Sequence, residues 1–199
     1  GRPVLNNINL TLERGRSLAI VGATGGGKTT LVNLLARFYE PTSGVIALDG
    51  IDYRERSLNF LQSNLGVVLQ TSHIFAGTVR ENIRYGQLSA TDEAIHAAAE
   101  AAGAAPMIEQ LDQGYDTKIE EGGASLSSGQ KQLIAFTRAL LKDPQILIMD
   151  EATSSVDTLT EKRIEQGLRA LLKDRISVII AHRLSTIRHA DQICVLDQG

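Results

Sequence analysis

Leu18-Ala19-Ile20-Val21, followed at once by Gly22-Ala23-Thr24-Gly25-Gly26-Gly27-Lys28-Thr29-Thr30, decides the reading of this chain. Four apolar residues without a polar interruption suggest a strand buried on both faces. The glycines Gly22, Gly25, Gly26 and Gly27 let the backbone curl so that successive N–H groups point inward at phosphate oxygens. The spacing fits the phosphate-binding pattern G-x-x-x-x-G-K-[ST] in its required context, after a strand and before a helix whose N-terminus adds partial positive charge. Lys28 then supplies a point charge for the β- and γ-phosphates, and the Thr29 hydroxyl can ligate Mg²⁺. Thr24 and Thr30 complete the expected nucleotide contacts of the loop.

Outward from this loop, short β-branched apolar runs recur at Val45 to Leu48, Leu65 to Leu69, Ile146 to Met149, Ser177 to Ala181 and Ile193 to Leu196. Their continuous apolarity predicts a largely parallel sheet. Helical patterns lie between them. Lys28 to Phe38 puts Leu31, Leu34, Leu35 and Phe38 on one stripe, and Thr158 with Glu161 reads as a capping box ahead of Ile164, Leu168, Leu171 and Leu172. This is an α/β layout. From about Thr91 to Lys142 the alternation breaks, because Asp92 to Ala102 and Gln130 to Lys142 read as helices with no strand between them. Gly103 and Pro144 supply their stop signals. The expected organisation is one domain over 1–199, with an α/β core from 1–70 and 143–199 and a helical subdomain over 71–142 inserted into it.

The run Ile146-Leu147-Ile148-Met149-Asp150-Glu151 ends abruptly in two carboxylates. In an open α/β sheet ligands sit at the carboxyl ends of strands, so both acids should face the phosphates. Asp150 is expected to hold Mg²⁺ and Glu151 to orient or deprotonate the attacking water. The substrate and cofactor so implied are ATP and Mg²⁺.

Composition excludes several alternatives. The net charge of −3 comes with interleaved signs, so there is no basic stripe for a nucleic-acid backbone and no polybasic anchor for anionic lipid. No apolar run approaches the roughly 20 residues needed to span a bilayer, and the first residues do not resemble a signal peptide. One cysteine, Cys194, excludes a disulfide framework, and its apolar surroundings predict a core position in a reducing compartment. His73, His96 and His189 have no motif around them and read as surface residues.

Between the two nucleotide motifs lies Leu126-Ser127-Ser128-Gly129-Gln130. Ser127 and Gln130 have capping-box spacing, so a helix N-terminus with a small first turn is presented as a second anion site. The stretch resembles the LSGGQ signature of ATP-binding cassette proteins, with Ser128 replacing the first glycine. That resemblance implies a P-loop NTPase with a RecA-like, mostly parallel core. It also implies a head-to-tail dimer in which Ser127, Ser128, Gly129 and Gln130 close on the γ-phosphate held by the partner's loop. In the same family order, Gln70 matches the Q-loop glutamine, which senses Mg²⁺ and γ-phosphate. Ser155-Val156-Asp157 matches the D-loop at the dimer interface, and His182 the switch histidine.

Gln70-Thr71-Ser72-His73-Ile74-Phe75-Ala76-Gly77-Thr78-Val79-Arg80-Glu81-Asn82-Ile83 and Thr117-Lys118-Ile119-Glu120-Glu121-Gly122-Gly123 resemble exporter segments, the first being where transmembrane coupling helices dock, at about 70–84. The resemblance implies an ATPase powering export from the cytoplasmic face of a membrane, attached through transmembrane segments that lie outside this sequence. It also departs from the family: no aromatic residue for adenine stacking precedes Val4, Glu120 stands where the pattern has glycine, and Ser128 adds a hydroxymethyl group, a variation frequent in exporters built from unlike subunits. Two alternatives remain at this level: a soluble cassette ATPase of DNA repair or translation, and a dimerisation module that binds ATP without turnover.

Overall fold

The apolar run before the glycine loop forms strand β1 (Ser17–Gly22), whose first four residues are buried. The structure, a computed structural model, describes residues 4–69, 73–150, 158–181, 187–188 and 190–199. After β1 come α1 (Lys28–Leu35), β2 (Ala47–Leu48), β3 (Ile51–Asp52), α2 (Leu58–Asn64), β4 (Leu65–Val68), β5 (Gly77–Thr78), α3 (Val79–Arg84), α4 (Asp92–Ala101) and α5 (Ala105–Glu109). The chain continues through β6 (Lys118–Ile119), α6 (Ser128–Lys142), β7 (Ile146–Asp150), α7 (Thr158–Leu172), β8 (Ile176–Ile180) and β9 (Gln192–Leu196). The described residues fall into two compact units, one drawn from Gly1–Val67, Gln145–Glu151 and Asp174–Gly199, the other from Val68–Pro144 and Ala152–Lys173.

The first unit is built on a sheet of order β4-β7-β8-β1-β9. β1 pairs in parallel with β8 on one side and β9 on the other, and β7 pairs in parallel with β8. Leu18, Ile20, Ile148, Val178, Ile180 and Leu196 meet Leu31 and Val32 of α1 in one apolar core. β9 departs from the expectation of burial on both faces: Ile193 is 54% and Val195 70% exposed, because β9 is the edge strand and only alternate residues face the core. Cys194, one of the inward positions, is half-buried against that core. Val45 to Leu48 also differs. Only Ala47 and Leu48 are extended, and they pair antiparallel with β3 in a separate two-stranded sheet. Phe38, expected on the apolar stripe of α1, is 61% exposed because the helix stops at Leu35. Arg37 turns into the left-handed region (φ 56°), and its guanidinium donates to the Tyr53 and Arg56 carbonyls and lies 5.4 Å from the Tyr53 ring centre.

In the second unit α6 is the central helix, with Leu133, Ile134 and Phe136 fully buried. Gly103 ends α4 in the left-handed conformation, with its N–H on the Glu100 carbonyl and the Ala104 N–H on the Ala99 carbonyl, as the sequence predicted. The interval between α4 and α6 does contain a strand, β6, which pairs antiparallel with β5. This pairing was invisible to periodicity because each strand is two residues long. Thr158 is itself the first helical residue of α7, so it stands one position inside the place of a cap. α7 groups with this second unit although it was expected in the core from 143–199, and the unit begins at Val68 where 71 was expected. The physical reason is Gly167: a methyl group there would lie 2.6 Å from the Ala102 carbonyl oxygen and 3.0 Å from the Phe136 ring, so the bare backbone lets α7 approach closely.

The start of β9 is tied to the start of β1. Asp191 accepts from the Arg16 guanidinium (2.7 Å) and from the Ser17 N–H and hydroxyl (both 2.8 Å). These donors, the Arg16 guanidinium first, hold the Asp191 carboxyl down to about 2. A carboxylate depressed in the folded state stabilises it above its unfolded value of 3.8 and loses that contribution as pH falls toward 2. Asp191→Asn should therefore lower the urea midpoint at pH 7, and the gap from the unsubstituted chain should close between pH 4 and pH 2.

Candidate nucleotide site

The glycine loop is shaped by what lies behind it. A methyl group on Gly22 (φ 149°) would sit 2.1 Å from the Leu196 carbonyl oxygen, so β9 leaves no room for any side chain there. On Gly26 it would sit 3.0 Å from the Ala23 carbonyl and 3.1 Å from that of Leu196, and the Gly26 N–H closes a turn onto Ala23. On Gly27 (φ 101°) it would meet the Leu5 side chain at 2.8 Å. Gly25 (φ 82°) is different, with nothing within 4 Å of such a group, and it is required only for its backbone conformation. The loop is thus held from inside while Ala23, Thr24 and Gly25 face outward.

Gly27 is the N-cap of α1 and makes no side-chain cap, and no acid stands in the first turn. α6 behaves oppositely: Ser127 accepts from the Gln130 N–H while Gln130 Oε1 accepts from the Ser127 N–H, a complete capping box. The first-turn amides of α1, at Lys28, Thr29 and Thr30, have no intrahelical acceptor, the arrangement that suits an anion. Lys28 Nζ donates to the Gly22 carbonyl (2.8 Å) and the Ala23 carbonyl (2.9 Å), which leaves one of its three protons to direct outward. These bonds draw the loop carbonyls toward the lysine and turn the amides the other way.

Sheet register brings the acid to the same end. Ile20 of β1 is level with Ile180 of β8, which is level with Asp150 of β7, so Asp150 lies two strands from the glycine loop at the carboxyl ends of the strands. At about 4.8 Å per strand this is roughly 10 Å, a span that a phosphate group with its cation fills. Asp150 is half-buried and Thr29 exposed. Together the cradle, the uncapped helix and the level carboxylate fit a nucleotide triphosphate with Mg²⁺. Ser127 and Ser128 are exposed on the second unit, with Gly129 buried beneath them. Gln70, Glu151, Ser155, Val156, Asp157 and His182 lie outside the described residues, as does His189. His73 and His96 are exposed, and each packs its ring on an aromatic neighbour, Phe75 and Tyr115 respectively.

Reading the sequence missed Leu5 and Leu196, which press on the loop from positions remote in the chain. Such contacts leave no spacing signal, because Leu196 acts through a carbonyl common to every residue and the Leu5 side chain reaches the loop from more than twenty positions away.

These features define an α/β phosphate-binding domain of the P-loop class. A family model described as ABC transporter matches residues 5–154. The chain is 52% identical over 197 residues to an ATP-dependent lipid A-core flippase of Syntrophus aciditrophicus, covering 99% of this chain and 33% of that protein. It is 52% identical over 199 residues to a fatty acid ABC transporter ATP-binding/permease protein of Mycobacterium bovis, covering 100% of this chain and 32% of that protein. A solved structure of a bacterial Atm1-family ABC exporter with ATP bound matches with a TM-score of 0.91 at 44% identity, over 100% of this chain and 35% of that one. The chain belongs to the ABC transporter family and is its ATP-binding domain. It spans about a third of the length of the curated relatives it matches, 33% and 32%. Among the described residues no helix is long and apolar enough to cross a membrane.

Gly22→Ala should destabilise the fold by about 1–3 kcal/mol through overpacking against β9 and weaken ATP binding at least tenfold. Gly25→Ala, with open space around it, should cost only about 1–2 kcal/mol of backbone strain. Urea unfolding and titration with a fluorescent ATP analogue separate the two.

Proposed function

We propose that this chain binds and hydrolyses ATP and that this hydrolysis powers export across a membrane. The observation that carries the reading is the uncapped start of α1 behind a glycine cradle with no room for a side chain at Gly22, Gly26 or Gly27. The first-turn amides and Lys28 grip the triphosphate. Thr29 and Asp150 would hold Mg²⁺, with Gln70 as a further ligand. When bound, that ion neutralises charge on the β- and γ-phosphates and leaves the γ-phosphorus open to attack. Glu151, next after Asp150 in the chain, orients water and accepts its proton, and His182 steadies the γ-phosphate side of that arrangement.

The reading extends to partners. Ser127, Ser128, Gly129 and Gln130, with Asp157 at the same interface, close on the nucleotide held by a second such domain, identical or not. The segment near 70–84 receives the transmembrane part at the cytoplasmic face. Similarity to ATP-binding/permease and export proteins supports a membrane partner. The net charge of −3 with interleaved signs supports the absence of a nucleic-acid partner.

In the intact protein Glu151→Gln should leave ATP affinity within about twofold while phosphate release falls by roughly 10²–10⁴. Lys28→Ala should weaken ATP binding itself. Undiminished turnover in the glutamine variant would reject Glu151 as the residue that prepares the water.

A further inference from the structure

Arg138 is a half-buried cation that the nucleotide site does not use. It lies on α6, and its Nε donates to the Asn82 carbonyl (2.9 Å), Nη1 to the His73 carbonyl (3.0 Å) and Nη2 to Asn82 Oδ1 (3.2 Å). The Phe75 ring centre lies 5.4 Å from the guanidinium carbon. Among the described residues no carboxylate forms an ion pair with it. Burial pushes its pKa down, yet a guanidinium stays charged, so three carbonyl-type oxygens and one ring face carry the compensation.

Asn82, fully buried on α3, extends the same network. Its Oδ1 accepts from the Phe75 N–H (3.0 Å), and its Nδ2 donates to the Phe75 carbonyl (2.9 Å) and the Thr78 carbonyl (3.0 Å). The amide group thereby does for Phe75 what a neighbouring strand would do. Gly86 seals the seat from the other side, since a methyl group there would lie 2.2 Å from the Arg138 carbonyl oxygen. Residues 73–86 are therefore fixed to α6 by side chains and by close backbone approach.

Both ends of this seat have assigned work in the function proposed above, on which the inference rests. His73 follows Gln70 by three residues, and α6 starts at Ser128 beside its cap Ser127. We propose that Arg138 is a positioning residue that binds the segment after Gln70 to the signature helix, so that nucleotide sensed at one is transmitted to the other. A carbonyl-held guanidinium suits this role because two of its three acceptors belong to the backbone and the third, Asn82 Oδ1, is fixed by the Phe75 N–H, so none rotates away as a free carboxylate side chain can.

The test compares Arg138→Met, which keeps the stem but removes every donor, with Arg138→Lys, which keeps the charge but cannot span three acceptors, in the intact protein. Hydrogen exchange is read with and without Mg²⁺ and a non-hydrolysable ATP analogue, alongside kcat and KM for ATP. The unsubstituted protein should gain protection at 22–30, 73–82 and 127–131 together. In Arg138→Met, protection at 22–30 and KM should stay within about twofold, protection at 73–82 should fail to follow the nucleotide, and kcat should drop about tenfold, with Arg138→Lys intermediate. Parallel protection of 73–82 and 127–131 in Arg138→Met overturns the proposal. So does an unchanged kcat, a joint shift of kcat and KM, or loss of the folded state in both variants, each of which would make the group structural only. An unsubstituted protein that gains no protection at 22–30 refutes the nucleotide reading first, and this inference with it.

Discussion

The backbone of β9 runs so close to Gly22 that a single added methyl group would stand 2.1 Å from a carbonyl oxygen, and the phosphate loop depends on that approach. A loop of free amides is unstable by itself, since each unsatisfied donor seeks a partner and each left-handed residue resists its conformation. Here the loop cannot collapse inward, because Leu196 and Leu5 occupy the space behind it. Nor can its carbonyls turn outward, because Lys28 holds those of Gly22 and Ala23. What remains is an outward set of N–H groups at the mouth of a helix.

That arrangement gains meaning from the helices that do not share it. α3 and α6 start with full capping boxes, Thr78 with Glu81 and Ser127 with Gln130, and α4 starts with Thr91. Glycine at the cap costs only a few tenths of a kcal/mol relative to serine or threonine, so α1 can begin without a side-chain cap at little expense; the five-residue α5 also starts without one. The difference also separates two kinds of anion site. At α1 the helix offers its amides bare. At α6 the cap keeps Ser127 in place, and only the remaining first-turn amides and the small surface of Ser128 are left to meet a charge.

How much of this was legible follows from the range of the interactions. The glycine loop, the strand before it, the acid at Asp150, the cap at Ser127 and the stop at Gly103 all depend on neighbours within a few residues, so spacing and residue type reveal them. The edge position of β9, the two-residue pairing of β5 with β6 and the early end of α1 at Arg37 depend on partners far along the chain. Apolar content alone cannot distinguish an edge strand from a central one: Ile193 and Val195 read like Ile148 and Leu147 until the strand order is known. The grouping of α7 was equally hidden, since Gly167 reads as a weak helix residue and not as the contact point for Ala102 and Phe136.

The second unit handles its arginines in two ways, and the contrast bears on what each can transmit. Arg80 and Arg84 pair with Asp92, and Arg80 with Asp116, through side chains that are partly exposed; such pairs contribute little and tolerate rearrangement. Arg138 is half-buried and satisfied by main-chain carbonyls and by an amide that is itself bonded to main chain. An exposed pair can stretch through water while the helices beneath it shift. A guanidinium fork on fixed carbonyls has less slack, so displacing the segment at His73 requires either moving α6 with it or leaving a half-buried cation short of an acceptor. Because the second alternative is the more costly, the segment and the helix are driven to move together.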